Sequence, residues 1–367
     1  MPWNLAKKPV LTSPLTPIHE SSGARLQSLE GDATRVLTYG DVPAEYRAGT
    51  EACLVLDTST RGAIRVRGAE AAAFLHRLLA NDVKGLAPGR GNHNLLLSPK
   101  GKVLHEFELA PEAGGGFHLS TPAGQAGALL EALDMYLFAD AVELEEVTEQ
   151  HAPLELAGPG AVPLAGGVLG SQLPGDDHHP LDVTWNGHVV RVTRLQVAGS
   201  PGLRLDAGPG GIQALWEALV GAGAVPGGVV VTDILRVEAG GARFGQDITD
   251  DVYPQEARLE DAFSLDKGCY IGQEVVAKID TYGGLNKQLQ VLAVDHDDPV
   301  PPGTRLVREQ DGHRRDLGVV TSWAYSFVKD TGLVLAYVKR KHQEVGTRFE
   351  LEGSPGQAEI VAWPVRG

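Results

Sequence analysis

The sequence predicts an α+β fold whose C-terminal part is entirely β. In the first 150 residues, strand-like and helix-like runs come in the order strand, helix, strands, helix, strand. After residue 285, strand-like runs follow one another at short spacing with turn residues between them, as in a small barrel or sandwich. A stretch rich in Gly, Pro and Ala at 157–180 marks a further change of composition. We therefore predict three domains, at residues 1–150, 151–284 and 285–367.

The individual elements follow from residue spacing. Residues 63–67 alternate apolar and polar side chains, as a half-buried strand does, and the apolar residues of 69–79 recur at helical spacing. The same criteria place further strands at 53–57, 92–97, 103–109, 117–119, 189–197 and 202–205, and helices at 125–137 and 212–220. The predicted strands of the last domain are 288–294, 318–322, 333–338, 348–352 and 358–363.

The net charge and the cysteine count limit the classes of partner and the compartment. A formal net charge of −15 offers no long-range attraction to phosphate, so we expect no direct binding to nucleic acid or to acidic membranes. Two cysteines in 367 residues do not make a disulfide framework, which favours a reducing cytoplasm. No window approaches 18 apolar residues, so a membrane span is not expected.

Common nucleotide, hydrolase and metal motifs are not found. The glycine runs at 114–116 and 208–211 lack the strand–GxGxxG–helix arrangement, and the chain has no GxxxxGK[ST] and no GxSxG. The Asp-Asp-His-His run at 176–179 has ligand types that suit divalent cations, but such a run in a Gly- and Pro-rich segment is more often a polar loop. We therefore expect no metal site.

The run KGCYIGQE at 267–274 is the strongest candidate for a chemical site. It contains Cys269, one of only two cysteines, between two glycines that permit close approach of a ligand. Lys267 and a helix beginning near Gln273 would both favour the thiolate form of Cys269. The alternative is a small buried cysteine in a tight turn. Composition alone does not separate the two interpretations.

A second candidate is the run 233–239, which holds Arg236 and Glu238. If this run is a strand, the two side chains face the same side because they are two residues apart. Such a pair is usually a solvated ion pair worth about 0–1 kcal/mol. If that face lines a pocket, Arg236 suits an anionic ligand through bidentate contacts, and Glu238 would hold the arginine in place.

These motifs together resemble a known family. The runs LRVEAG at 235–240, FGQDI at 244–248, PQE at 254–256 and KGCYIGQE at 267–274 are similar to the YgfZ family, which comprises folate-binding relatives of the glycine-cleavage T-protein. Shorter runs resemble T-protein segments in the same order along the chain, at 16–19, 56–59, 74–83 and 317–322.

The resemblance implies a three-domain ring around a central channel, with a C-terminal β-barrel. It implies tetrahydrofolate or a one-carbon derivative in that channel, and a cytoplasmic accessory role in the assembly or repair of iron–sulfur enzymes, with those client proteins as partners and an indirect link to tRNA modification. Carried over to this sequence, the functional thiol is Cys269, assisted by Lys267. The implied folate contacts are Arg236, Glu238, Tyr270 and Gln273.

The chain also departs from the T-protein pattern. T-proteins have paired aspartates where this chain has His105 and Glu106, and they carry a pterin-binding glutamate that is absent from 196–202. Two alternatives to the accessory role remain. One is an aminomethyltransferase of glycine cleavage, for which Glu106 is the candidate acid. The other is a non-catalytic folate-binding module in which Cys269 is inert.

Overall fold

The computed structural model describes residues 12–28, 34–112, 114–310 and 313–366. These residues form two compact units. The first contains the described residues up to Leu96 together with 105–231 and 267–270, and the second contains 97–104, 232–266 and 271 onward. The described helices are α1 (Thr16–Ser21), α2 (Val42–Glu51), α3 (Ala71–Leu78), α4 (Ala126–Asp134), α5 (Ala161–Leu169), α6 (Gly208–Gly221), α7 (Val229–Glu238) and α8 (Gln273–Tyr282).

The described strands are numbered in chain order. Those up to residue 157 are β1 (Arg25–Ser28), β2 (Thr34–Thr38), β3 (Leu54–Asp57), β4 (Gly62–Arg67), β5 (Asn92–Leu97), β6 (Val103–Pro111), β7 (Phe117–Thr121), β8 (Glu143–Glu146) and β9 (Pro153–Ala157). The later ones are β10 (Leu181–Trp185), β11 (His188–Val197), β12 (Ser200–Asp206), β13 (Val225–Gly227), β14 (Lys287–Val294), β15 (Arg305–Gln310), β16 (His313–Ser326), β17 (Thr331–Lys339), β18 (Arg348–Leu351) and β19 (Gln357–Ile360).

The first unit contains two β-sheets with helices packed against them. A six-stranded sheet has the order β10-β11-β12-β9-β3-β13, and a five-stranded sheet has the order β5-β6-β7-β4-β8. Buried leucines on β9 and β12 pack with one face of α5 and of α6, including Trp216, in a single core. The helices cover this sheet because their apolar residues fall on one stripe, which must be buried against another element.

The second unit contains a closed six-stranded barrel with the order β14-β17-β16-β15-β18-β19. Residues along β16 alternate between buried and partly exposed, as expected for strands whose side chains point alternately inward and outward. Leucine, valine and alanine side chains fill its interior together with Phe349. The predicted α+β class is confirmed, and the C-terminal all-β part is a barrel and not a sandwich.

Most predicted elements are present, with ends that differ by a few residues. The run 233–239, for which a strand was considered, belongs up to Glu238 to helix α7. Val231, Ile234 and Leu235 are all buried, and their i, i+3, i+4 spacing is a helical signal that the two-residue spacing of Arg236 and Glu238 concealed. Within the described ranges no helix combines the length and hydrophobicity needed to cross a bilayer.

Gly68 at the end of β4 yields a stability prediction. Its φ is 117°, and a Cβ placed on it would lie 2.0 Å from the carbonyl oxygen of Ala141. We expect Gly68→Ala to lower the free energy of unfolding by about 1–3 kcal/mol, since both the backbone conformation and the packing oppose a side chain. Chemical denaturation measures the change.

The matched control is Gly167→Ala in α5, where an added Cβ meets nothing within 4 Å. This variant should be at least as stable as the parent chain, because alanine favours a helix over glycine. Equal stability of Gly68→Ala and the parent would show that the turn after β4 tolerates another conformation.

Candidate functional site

Lys267 is buried and its ammonium group is bound by backbone. Its Nζ donates to the carbonyl oxygens of His76 at 2.5 Å, Leu79 at 2.6 Å and Asn81 at 3.0 Å. Two of these carbonyls lie at the C-terminal end of α3 (Ala71–Leu78), where the last turn of a helix has no intrahelical donors left. Burial lowers the pKa of Lys267 to about 8. Lys267 therefore serves as a side-chain cap for α3.

The next residue in the segment passes beside a histidine. A Cβ on Gly268 would lie 4.0 Å from Nε2 of His76, while Nδ1 of His76 lies 3.1 Å from an oxygen of Asp82. Burial and the nearby charge of Lys267 lower the pKa of His76, so the imidazole is neutral at pH 7. The backbone around Cys269 is thus placed next to a neutral imidazole in the first unit.

Cys269 is exposed, whereas Cys53 is buried in the core of the first unit. Burial raises the pKa of Cys53 to about 12, so this second thiol is unreactive. The alternative of a small buried cysteine at position 269 is therefore wrong.

Helix α8 begins at Gln273 with Gly272 before it, as the sequence predicted. Lys267, predicted to support the thiolate, has its ammonium committed to three carbonyls instead.

Tyr270 closes the segment and is only 7% exposed. Its hydroxyl has no hydrogen-bond partner among the described residues, and its ring centroid lies 5.3 Å from Nζ of Lys267. Burial raises the pKa of the phenol to about 12, so it stays protonated and can donate. A buried hydroxyl without a partner costs free energy, and it is the kind of group that a bound ligand satisfies.

Arg236 lies in the second unit and is held by two aspartates, not by Glu238. Its Nε donates to Asp233 at 2.6 Å and its Nη1 to Asp247 at 2.8 Å. Further bonds run to the carbonyl of Gly241 at 3.1 Å and to Oγ of Ser322 at 2.9 Å. Four of the five N–H groups of the guanidinium are thus used, and a bidentate contact to an anion needs two.

Glu238 has other partners. Its side chain accepts a hydrogen bond from Oγ of Ser326 at 2.6 Å and lies 3.2 Å from Nε of Arg366. On helix α7 two residues are separated by about 200° around the axis, so Arg236 and Glu238 do not share a face. The prediction that Glu238 holds Arg236 is wrong for this reason.

The six predicted site residues are divided between the two units. Lys267, Cys269 and Tyr270 belong to the first unit. The other three, Arg236, Glu238 and Gln273, belong to the second, where Gln273 is the first residue of α8.

The hairpin of β5 and β6 carries a further candidate pair that sequence reasoning found only in part. Glu106 lies 2.9 Å from Nε2 of His93, and both side chains are partly exposed. The neighbouring His105 is mostly buried, which lowers its pKa to about 4, and its Nδ1 has no partner among the described residues. His93 was missed because it lies 13 residues from Glu106 along the chain. The predicted hairpin already placed the two on adjacent strands.

Two domain families match the chain. Residues 15–267 match the GCVT N-terminal domain, and residues 287–365 match the glycine cleavage T-protein C-terminal barrel domain. An aminomethyltransferase of Chlorobium chlorochromatii is 31% identical over 274 residues, which are 71% of this chain and 73% of that protein. An aminomethyltransferase of Prosthecochloris aestuarii is 29% identical over 356 residues, 94% of this chain and 96% of that protein.

A solved structure agrees with these matches. The crystal structure of glycine cleavage system aminomethyltransferase T from Bartonella henselae superimposes with a TM-score of 0.85 at 25% identity, covering 97% of this chain and 98% of that one. The expectation of an accessory protein for iron–sulfur enzymes, with iron–sulfur clients and a link to tRNA modification, is therefore wrong. Proteins named aminomethyltransferase match the chain over nearly its full length, which favours the alternative interpretation.

The carbonyl cage around Lys267 makes a direct prediction. We expect Lys267→Met to lower the free energy of unfolding by about 1–3 kcal/mol, because three carbonyl oxygens lose their donor. Urea denaturation at neutral pH measures the effect. The matched control is Lys278→Met, since Lys278 is exposed on α8 and, among the described residues, bonds to Glu274 alone at 2.6 Å. This variant should change stability by less than about 0.5 kcal/mol. If both variants unfold alike, burial of the ammonium cancels the gain from its carbonyl bonds.

Proposed function

Because the chain belongs to the glycine cleavage T-protein family, we propose that it is a tetrahydrofolate-dependent transferase of the aminomethyltransferase type. The proposal is supported above all by the full-length likeness to an aminomethyltransferase, both in sequence and in fold. The substrate we propose is an aminomethyl group carried on a lipoyl protein, and the acceptor is tetrahydrofolate itself.

Glu106 is the carboxylate that we assign to this reaction. It stands where T-proteins have the second of their paired aspartates, and it is partly exposed beside His93. The 2.9 Å contact with Nε2 of His93 holds the longer glutamate side chain in one orientation. Bound tetrahydrofolate would supply the nitrogen that accepts the one-carbon unit. Glu106 would hold or move the proton that this exchange requires.

The fit of a folate to the chain's residues rests on Tyr270. Its buried hydroxyl is protonated, unpartnered among the described residues and therefore able to donate to a ligand. Arg236 fits less well as a direct contact, because a single N–H remains after its four bonds within the second unit. We propose that Tyr270 contacts the folate and that Arg236 is a structural residue which orders the polypeptide around Asp247.

Cys269 is not needed as a nucleophile in this reaction. In this reaction the methylene carbon passes from the lipoyl sulfur to tetrahydrofolate, the amino group leaves as ammonia and the lipoyl thiol is released. No thiol of the transferase takes part. We therefore propose that the exposed Cys269 is a surface contact and that Lys267 positions the segment on which it stands.

The role of Glu106 is tested by the variant Glu106→Gln. We expect kcat to fall about 100-fold or more, because the amide cannot exchange a proton. The assay follows methylene-tetrahydrofolate formed from aminomethyl lipoyl protein. Glu131→Gln, an exposed carboxylate on α4, is the matched control and should keep full activity, as should Cys269→Ser. A parent chain without this activity would refute the proposed function, and an active Glu106→Gln would refute only the residue assignment.

Tyr270→Phe tests the folate contact separately from catalysis. We expect the variant to bind tetrahydrofolate about 5–10-fold more weakly, because one hydrogen bond is lost. Its stability without ligand should equal or exceed that of the parent, since the hydroxyl has no partner among the described residues to lose and its burial costs free energy. Equilibrium binding by fluorescence and chemical denaturation measure the two effects. Tyr282→Phe, at an 82% exposed position, is the control. Unchanged affinity in Tyr270→Phe would place the folate elsewhere.

A further inference from the structure

The first unit contains a cavity, lined by apolar residues and a cluster of charged and polar side chains, that the proposed transfer reaction does not use. It is lined by residues of β4, β6, β7, β11 and β12 and has a volume of about 50 Å³. One water molecule needs roughly 10–15 Å³ of such space, so the cavity has room for about three to five non-hydrogen atoms. The six polar residues that matter here are Arg61, Glu108, His118, His151, Arg204 and Asp206.

Both carboxylates of the cavity are already occupied. Glu108 accepts two parallel hydrogen bonds from Arg204, at 2.7 and 2.9 Å. Burial by itself would raise the pKa of Glu108, but the positive charges of Arg204 and Arg61 hold it at about 2. Asp206 pairs with Nδ1 of His151 and accepts the backbone N–H of Ala152 at 3.0 Å. Neither carboxylate is left to neutralise a further cation.

Arg61 is the cation with the weakest compensation. Its Nε donates to Oγ of Ser120 at 3.1 Å, and its nearest carboxylate oxygen, on Glu108, is 3.9 Å from Nη2. Arg204, by contrast, bonds to Glu155 at 2.6 Å in addition to its two bonds with Glu108. Apart from the 3.9 Å contact with Glu108, the terminal nitrogens of Arg61 make no hydrogen bond to a described residue, so they can bind an anion in the cavity.

Two imidazoles add unsatisfied nitrogens. Nδ1 of His118 and Nε2 of His151 are buried without a partner among the described residues, and the two rings lie 4.4 Å apart between centroids. Burial, together with the nearby His151, lowers the pKa of His118 to about 3, so this ring is neutral and can present an N–H at Nδ1. Buried nitrogens are rarely left unpaired in a native protein.

From this geometry we propose that the cavity binds a small carboxylate of three or four heavy atoms, the size of formate or acetate. Arg61 would bind the carboxylate oxygens through its terminal nitrogens, as guanidinium groups do. His118 would donate its Nδ1–H to one of them. A divalent cation does not suit the cavity, because the described residues contain no group of three metal-ligating side chains and Arg61 would repel it. The proposal goes beyond the transfer reaction and does not depend on it.

The first experiment uses the full-length chain and sodium acetate. Calorimetric titration with acetate, compared with sodium chloride at equal ionic strength, should show saturable binding for acetate only. Long-range proton–nitrogen spectra should show that acetate shifts the imidazole signals of His118 and His151, but not that of the exposed His313. An absence of acetate binding, equal binding of chloride, or unshifted His118 and His151 signals would each overturn the proposal.

The second experiment locates the charge. Arg61→Gln should weaken acetate binding about ten-fold or more, because the amide cannot replace the charged guanidinium. The control is Arg77→Gln on α3, which removes a surface ion pair with Asp140 and should leave acetate binding unchanged. If Arg61→Gln does not fold, His118→Phe removes the proposed N–H donor and should also weaken binding. Unchanged affinity in the variant that folds would refute the assignment. Glu106→Gln keeps Arg61 and His118 and removes a negative charge that acts on Arg61, so it should bind acetate at least as tightly as the parent chain. A failed transfer reaction and a failed acetate site are therefore distinguishable.

Discussion

The arrangement of the candidate site depends on one buried ammonium group. Lys267 reaches three carbonyl oxygens that lie 186 to 191 residues earlier in the chain. It supplies hydrogen-bond donors that the end of helix α3 cannot provide for itself. Because these bonds fix the start of the segment, Gly268 passes beside His76, Cys269 is exposed and Tyr270 is buried. Lys267, which the sequence suggests as a support for the Cys269 thiolate, instead holds this segment against the end of helix α3.

Three largely buried arginines differ in how their positive charge is compensated. A guanidinium out of water needs carboxylates and further acceptors to offset its lost hydration. Arg236 and Arg204 each have two carboxylate partners at 3.0 Å or less. Within the part of the chain that the structure describes, the nearest carboxylate oxygen to Arg61 is that of Glu108 at 3.9 Å. Arg236 and Arg204 therefore stabilise the fold, whereas the charge of Arg61 is available for an anion. A local uncompensated arginine of this kind allows an anion site in a chain whose net charge is −15.

Short motifs in this chain and its likeness over the full length indicate different functions. The run KGCYIGQE and the shorter runs before it resemble a family with an iron–sulfur role, but they cover only a small part of the chain. Likeness over nearly the full length, in both sequence and fold, instead connects the chain with aminomethyltransferases. Where T-proteins have paired aspartates this chain has His105 and Glu106, so Glu106 is the one carboxylate at these two positions. His93, which lies against Glu106, gives that carboxylate a defined orientation.

The sequence by itself determined most of the local structure. Periodicity located the hairpin of β5 and β6, helices α3, α4 and α6 and five of the six barrel strands, because hydrophobic spacing reflects which side of an element is buried. It did not identify α1, α2, α5 or strand β15. It failed at helix α7, where Arg236 and Glu238 stand at a spacing that also suits a strand. Only the tertiary structure decided that Lys267 caps α3, that Glu238 bonds to Ser326, and that Arg61 is undercompensated. These contacts join residues that are far apart in the chain. Hydrophobic spacing shows which side of an element is buried, but not which distant residues contact each other in the folded chain.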